Sequence, residues 1–239
     1  YQDGASYQGN TLGPRLLSIE VMLIAEDIEE MMTNRRRLLS IFNPKLGEGT
    51  LIYEIGGIKR EIKTISEIAP VFPDAGDFKD TIQPGLIQLY APNPFWMDEF
   101  ETSEEIITWI GGMKFPLRLP TRFAMRGPQK INIINSGDVE APMRIEFKGP
   151  ATNPKITNHT TGQYIKINRA LLQDDVLVIT TEFGNKRVEI NGQNVFNWID
   201  LNSVFWQLQV GDNIVEYTSD DKVESAAVKI SYKNRYLGV

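Results

Sequence analysis

The sequence contains no cysteine and only one histidine, His159, among 239 residues. Without thiols the chain forms no disulfides, iron–sulfur clusters or thiolate zinc sites. A single imidazole also excludes His-rich metal sites and restricts any histidine-dependent mechanism to one ring. The longest apolar runs, such as residues 131–134, are only a few residues long. A transmembrane helix needs about 20 apolar residues, so the sequence predicts no membrane partner.

Basic charge is scarce as well. The sequence has 25 Lys and Arg residues against 31 Asp and Glu residues, a formal net charge of -6. A protein that grips nucleic acid does so with a basic surface, so specific nucleic-acid binding is not expected. Hydrophobic residues make up 41% and charged residues 23%, which is typical of folded soluble domains. At about 150 residues per domain, the length allows one or two domains.

One amphipathic helix is predicted in the first half of the chain. Apolar residues recur there with helical spacing at Ile28, Met31, Met32, Leu38, Leu39 and Phe42. Asp27 and Glu30 have the spacing of a capping box, and Asn43-Pro44 ends the pattern. Arg35 falls within the apolar stripe. We therefore expect Arg35 to reach solvent or to pair with a carboxylate, in the core or at an interface.

A long β-hairpin is predicted after this helix. Residues 50–55 and 58–65 form its arms around Gly56 and Gly57, because two consecutive glycines allow the positive φ angles of a type I′ turn. Charged residues on one face of the arms suggest that the hairpin projects from the body. Further strands are predicted at residues 17–23 and 85–90.

The second half of the chain has the pattern of an antiparallel β-sandwich. Short strands separated by turn residues are predicted at 130–135, 143–148, 164–168, 176–181, 186–190, 213–217 and 226–232. A stretch interrupted by Pro116, Pro120 and Pro128 is the best candidate for a linker. The expected fold is mainly β (α+β), with an N-terminal β-rich domain at residues 1–128 and a C-terminal sandwich at residues 129–239.

Candidate catalytic groups are few and weak. His159 lies in a polar turn, where a surface role is expected more often than that of a general base with an oriented partner. Acids cluster near Trp96 and Trp109, at Asp98, Glu99, Glu101, Glu104 and Glu105, and carboxylate pairs can hydrolyse glycosides. Such clusters are usually solvated, so enzymatic activity is the disfavoured alternative. The aspartate doublets at residues 174–175 and 220–221 lack the spacing of a calcium loop and are attributed to turns.

Aromatic residues in the second half allow two interpretations. Trp198, Phe205, Trp206 and Tyr217 can stack on sugar rings, as in carbohydrate-binding sandwiches, or pack in the core. Core packing is the commoner role for aromatic residues on strands. We predict no catalytic site, no metal site and no cofactor.

Several segments resemble one family of proteins. The string IFNPKLGEGTLIYEIGGIKREI that follows the helix, and then LIQLYAPNPFW, resemble the N-terminal half of the distal tail protein of siphophages infecting Gram-positive bacteria. INIINSGDVEAPMRIEFKGPATNPKITNHTTGQYIKIN, DLNSVFWQLQVGDNIVEY and the closing VKISYKNRYLGV resemble that family's C-terminal domain. The resemblance covers nearly the whole chain from about residue 15.

The resemblance implies a structural role in the virion of a phage or prophage, made in the cytoplasm of the bacterial host. Distal tail proteins form a homohexameric ring with galectin-like C-terminal domains outside it. The ring adjoins the tail tube protein and a tail-associated lysin or tip protein, in some phages carries a receptor-binding protein, and passes DNA through its bore. Members of the family usually begin with further strands, so the chain is expected to be truncated at its start. The hairpin and helix suggest a subunit interface at Arg35, Tyr53, Gly56, Gly57, Ile58 and Arg60.

A second function stays open beside the first. The C-terminal sandwich, which also resembles carbohydrate-binding modules, would in that case bind a saccharide of the host cell wall through Trp198 and Trp206. Isothermal titration with host wall polysaccharide distinguishes the two functions, because a saccharide-binding protein gives saturable heat and a scaffold gives none.

Overall fold

The structure is a computed structural model that describes residues 9–73, 81–107, 109–110, 125–126, 130–220 and 227–239. The chain divides into two compact units. The first unit comprises Tyr1–Met97 with Leu237–Val239, and the second comprises Asp98–Tyr236. No helix in the described part of the chain is long and apolar enough to cross a membrane.

The first unit consists of one helix and an antiparallel sheet. Its elements are β1 (Arg15–Ile24), α1 (Ile28–Ile41), a 3-10 turn (Pro44–Leu46), β2 (Glu48–Ile55), β3 (Ile58–Ser66), β4 (Ile82–Ala91) and β5 (Trp96–Asp98). β1 pairs with β4 along its whole length, and β4 pairs with β3 at the end of β3. β2 pairs with β3 and, among the described strands, with no other.

The predicted helix is confirmed, together with the signals that begin and end it. The side chain of Asp27 accepts a hydrogen bond from the Glu30 backbone N–H at 2.8 Å, and the Glu30 carboxylate accepts one from the Glu26 N–H at 2.7 Å. These contacts satisfy amides that the first turn of a helix leaves unpaired. At the other end the Phe42 N–H donates to the Leu38 carbonyl at 3.0 Å. Within α1, Met31 is fully buried.

The predicted hairpin is confirmed as well. Gly56 and Gly57 have φ angles of 57° and 83°, the left-handed values that a type I′ turn requires at both central positions. The turn sets the register, with Ile55 opposite Ile58 and Tyr53 opposite Arg60.

The second unit is built almost entirely of short strands. They are β6 (Thr102–Ile107), β7 (Trp109–Ile110), β8 (Met125–Arg126), β9 (Lys130–Asn135), β10 (Met143–Lys148), β11 (Ala151–Thr152), β12 (Lys155–Asn158), β13 (Gln163–Lys166), β14 (Ala170–Leu171), β15 (Val176–Thr180), β16 (Arg187–Ile190), β17 (Gln193–Asn194), β18 (Gly211–Thr218), β19 (Ala227–Tyr232) and β20 (Arg235–Tyr236), with a second 3-10 turn at Phe196–Trp198. One sheet has the order β17-β16-β15-β10-β19-β6 and the other the order β13-β12-β18-β9.

A single apolar core lies between these two sheets. Alternate residues of β10, Met143, Ile145 and Phe147, point into it from one sheet, and Val215 and Tyr217 of β18 point into it from the other. Aligned antiparallel sheets that share one core form a sandwich. The predicted mainly-β fold with a C-terminal β-sandwich is therefore confirmed.

Three strands of the sandwich were not predicted, namely β6, β12 and the two-residue β17. The acid-rich segment of β6 pairs with β19, with Ile106 opposite Val228. Partners more than 100 residues apart leave no local signal in a sequence. The predicted boundary between residues 128 and 129 and the prolines at 116, 120 and 128 lie outside the described residues, so the division into 1–128 and 129–239 stays a prediction.

Candidate functional site

The hairpin of β2 and β3 exposes an apolar face that continues out of the first unit's core. Ile62 of β3 is fully buried, and Leu51 opposite it is half-buried. Two further cross-strand pairs lie on the same face toward the turn. Tyr53 is opposite Arg60, and Ile55 is opposite Ile58. Ile55 is 60% exposed and Ile58 is 54% exposed. Apolar cross-strand pairs normally stabilise a sheet by burial, so this end of the hairpin has the composition of a covered surface.

The opposite face of the hairpin is charged and internally paired. The Nζ of Lys59 lies 3.4 Å from a carboxylate oxygen of Glu54, and that of Lys63 lies 3.3 Å from one of Glu48. Ile52 lies between these pairs on the same face and is 52% exposed. Exposed ion pairs of this kind contribute little to stability.

Two of the residues predicted at an interface make contacts within the first unit. The guanidinium carbon of Arg35 lies 4.8 Å from the ring centroid of Phe72. Among the described residues, the partner of Arg35 is therefore an aromatic ring, through a cation–π contact. Tyr53 packs edge-on against Trp96, with ring centroids 6.2 Å apart. Gly56, Gly57 and Ile58 lie at the exposed tip, and Arg60 is half-buried. Their role at an interface stays a prediction.

β1 carries a second exposed apolar surface, which the sequence analysis did not single out. Leu16, Met22 and Ile24 point to the exposed side of the strand, while Leu17 and Leu23 on the other side are half-buried. A signal for this surface was present in the sequence, because apolar residues occur on both faces of β1, although Ser18 and Glu20 are also on the exposed one. Strands with two apolar faces are typically covered on both.

The two tryptophans of the saccharide alternative differ in position. Trp206 is 2% exposed and belongs to the core of the sandwich, so its ring has the packing role that is commoner for strand aromatics. Trp198 is half-buried against that core, and the Arg169 guanidinium carbon lies 5.2 Å from its ring centroid. A sugar that stacks on an aromatic ring needs an accessible face. Saccharide binding through Trp198 stays a prediction.

His159 lies on the surface of the sandwich, as expected. Its Nε2 is 2.6 Å from a carboxylate oxygen of Glu216, and the other oxygen of Glu216 is 3.6 Å from the Nζ of Lys130. The adjacent Thr160 hydroxyl donates to the Asp212 carbonyl and accepts from the Ile214 N–H. These contacts tie the turn at residues 159–160 to β18.

The acidic residues of the second unit likewise serve as hydrogen-bond acceptors or lie in solvent. Glu101, Glu104 and Glu105 are exposed, and the Asp98 carboxylate accepts from the Asn234 amide at 2.9 Å. Asp175 accepts from the Leu172 N–H at 2.7 Å, which confirms its role in a turn. Asp221 lies outside the described residues. Within the described part of the chain, no group of acids and His159 is arranged to hold a metal ion.

The pKa of one carboxylate, that of Asp200, is clearly shifted. Hydrogen bonding from the Asn202 backbone N–H, with further bonds from Asn168 and Tyr164, holds the pKa of Asp200 below its usual value. Partial burial, followed by the neighbouring Asp200 charge, raises the pKa of Tyr164. Both shifts move the pKa of the group further from neutral pH, and the Tyr164 hydroxyl donates to the Asp200 carboxylate at 3.2 Å.

Comparisons with known proteins agree with this geometry. Residues 136–236 match the siphovirus-type tail component, C-terminal domain, and residues 1–91 match the phage tail protein RIFT-related domain. The chain belongs to the siphophage distal tail protein family. The resemblance predicted from the sequence is confirmed, and with it the assignment to the phage tail and baseplate.

The solved structures that this chain resembles come from phage tails. The SPP1 Dit (gp 19.1) protein, described as a paradigm of hub adsorption apparatus in Gram-positive infecting phages, has a TM-score of 0.69 at 14% identity, over 98% of this chain and 84% of that one. The phage P2 baseplate in its activated conformation with Ca has a TM-score of 0.49 at 15% identity, over 94% and 80%. No curated protein matches the chain.

The distal tail family is one of structural hub proteins, which places this chain in the virion tail. A hub works through surfaces that bind other copies and other proteins. The exposed apolar residues of the β2–β3 hairpin and of β1 are the candidates for such surfaces, and both lie in the first unit.

Proposed function

We propose that six copies of this chain close a ring through their first units. In this proposal the ring joins the tail tube protein to a tail-associated lysin or tip protein, and carries the host-adhesion proteins. The observation that supports it most is the amount of apolar surface that the first unit leaves exposed on β1 and on the β2–β3 hairpin. Contiguous exposed apolar surface is characteristic of protein interfaces.

The hairpin residues are the proposed core of the subunit interface. Ile58, Gly56 and Gly57 form the tip, and Tyr53 and Arg60 flank it on the same face. Arg35 takes a supporting part, since its guanidinium already covers Phe72. Edge strands that lack blunting features pair readily with other chains, and the sequence of β2, EGTLIYEI, contains neither lysine nor proline.

The net charge is compatible with a duct for DNA. At -6 per chain, six copies carry -36. A ring with this net charge repels the phosphates of DNA, so we expect the genome to slide through the bore without being held. Mixing the purified ring with duplex DNA at physiological salt should give no mobility shift. Retention of the DNA would contradict the passage of DNA through an inert bore.

The proposed ring is a scaffold without enzymatic turnover. Its acids are solvated or used in hydrogen bonds at the positions described above, and Asp200 is held as an anion. Incubation of the chain with purified Gram-positive cell walls should release no reducing sugar, whereas release in proportion to protein concentration would overturn this part of the proposal.

Native mass spectrometry tests the ring directly. Six copies of a 27.1 kDa chain give about 163 kDa, which is well separated from the monomer and from smaller rings. We expect the hexamer to be the dominant species at micromolar concentration. A monomer at every concentration up to the solubility limit would refute assembly through the first unit.

A further inference from the structure

The tip of the hairpin is a narrow apolar wedge. Ile55 and Ile58 lie opposite each other on one face, and the two residues between them, Gly56 and Gly57, have no side chains. An alanine Cβ at either glycine would meet no neighbouring atom within 4 Å. The tip is therefore slim, with two branched aliphatic side chains as its main bulk.

The first unit also contains an apolar groove that no side chain among its described residues fills. The groove has a volume of ≈ 330 Å³. Its apolar lining consists of Ile41, Phe42, Leu46, Leu51 and Leu89. Ile41 and Leu46 are exposed. An engineered cavity of about 150 Å³ holds a benzene ring, so a groove of this size has room for two four-carbon side chains.

The local sequence explains why the groove is there. α1 ends at Ile41, and Asn43 begins the 3-10 turn by accepting a hydrogen bond from the Lys45 N–H at 3.0 Å. Gly47 then reverses the chain at a φ of 81° and leads it into β2. The end of the helix and the base of the hairpin therefore stand side by side with a gap between them.

The hairpin of the same chain cannot fill this groove. Gly49, Thr50, Thr64 and Ser66 at the base of the hairpin are part of the groove wall. The tip lies five residues beyond Thr50, a distance of roughly 16 Å at about 3.3 Å per residue. Because the paired arms are a single antiparallel ladder, the tip points away from its own base. A hairpin tip that enters the groove must therefore belong to a second copy of the chain.

We propose that Ile55 and Ile58 of one copy insert into the groove of the next copy. The inference rests on the proposed ring and names the contact that closes it. The wedge and the groove are different surfaces, so the contact is head-to-tail, which is the kind that generates closed rings. Burying the two isoleucines removes the apolar surface that the tip exposes, and the ion pairs of Lys59 and Lys63 stay outside on the other face.

The absence of cysteine makes the contact testable by disulfide trapping. Chains with Ile55→Cys are mixed with chains carrying Leu46→Cys, oxidised, and separated without reductant. The matched control replaces Leu46→Cys by Met22→Cys, another exposed apolar residue of the first unit. Native mass spectrometry of the unmodified chain is run in parallel.

We expect the Ile55→Cys and Leu46→Cys mixture to shift from monomer to a disulfide-linked dimer, and the control mixture to remain monomeric. A chain that carries both Ile55→Cys and Leu46→Cys should give a ladder of disulfide-linked oligomers that ends at the hexamer. A hexamer without this cross-link, or with equal cross-linking in the control, would overturn the contact but leave the ring. A disulfide within one chain of the double variant would overturn it too, and absence of both hexamer and cross-link would overturn contact and ring together.

Discussion

In the second unit, twenty-two apolar residues of the described chain are buried in one cluster between two sheets. In the first unit, eight are buried within the described residues: Ala25, Met31, Ile62, Phe72, Ile87, Leu89, Ala91 and Trp96. Large apolar residues are nevertheless abundant on the surface of the first unit, on both β1 and the hairpin. The second unit also exposes single apolar residues such as Phe183 and Leu201, but it encloses a large core, whereas the first unit buries few apolar residues and exposes many.

The largest loss of stability is expected where the second unit is most tightly packed. Phe147 is fully buried and lies 5.9 Å from the Tyr217 ring. Phe147→Ala should lower the free energy of unfolding by about 3–5 kcal/mol, since it removes apolar contacts and leaves a cavity. The matched change in the first unit is Leu16→Ala, which truncates an exposed side chain and should change it by less than about 0.5 kcal/mol. Urea unfolding monitored by circular dichroism measures both, and equal losses would contradict the contrast.

A smaller loss is expected from one added methyl group. A Cβ on Gly137 would clash with the carbonyl oxygen of Arg235 and would lie 2.9 Å from the backbone nitrogen of Arg235. These are backbone atoms, so they cannot rotate away as a side chain can. Gly137→Ala should therefore cost about 1–3 kcal/mol of unfolding free energy, the range of overpacked sites. Gly13→Ala is the control in the first unit, because a Cβ there meets nothing within 4 Å. Thermal unfolding should separate the two variants.

The pH dependence of stability is expected to involve Asp200. Its pKa is lowered in the folded state, mainly by the Asn202 N–H, so its contribution is present above the unfolded value near 3.8 and is lost as pH falls through the folded value. Asp200→Asn should lower the melting temperature at pH 7, and the difference from the parent should shrink at pH 3. Asp174→Asn, at an exposed carboxylate, is the control. A constant difference at both pH values would contradict the assignment.

Local features of the fold were predictable from the sequence, and long-range ones were not. Asp27, Glu30 and the Gly56-Gly57 pair act on neighbouring backbone, so the helix and the hairpin were found with their ends nearly right. β6 depends on pairing with β19, which local sequence does not encode. Of the candidate site, the tip was predicted from its glycines. The groove was missed because it forms only when the end of α1 comes to lie beside the base of β2.

A substitution at the hairpin tip should have the smallest effect on stability and the clearest effect on assembly. It therefore tests most directly whether the first unit uses its exposed apolar residues for assembly. Ile58→Glu places a charge at an exposed position, so the free energy of unfolding of the isolated chain should change by less than about 0.5 kcal/mol. A charge on the apolar wedge must be desolvated on burial, so the hexamer should be lost in native mass spectrometry. Ile52→Glu is the matched control, with nearly equal exposure on the charged face of the same hairpin, and should retain the hexamer. Equal loss of the hexamer in both variants would mean that the whole hairpin is covered, and that its two faces do not differ in function.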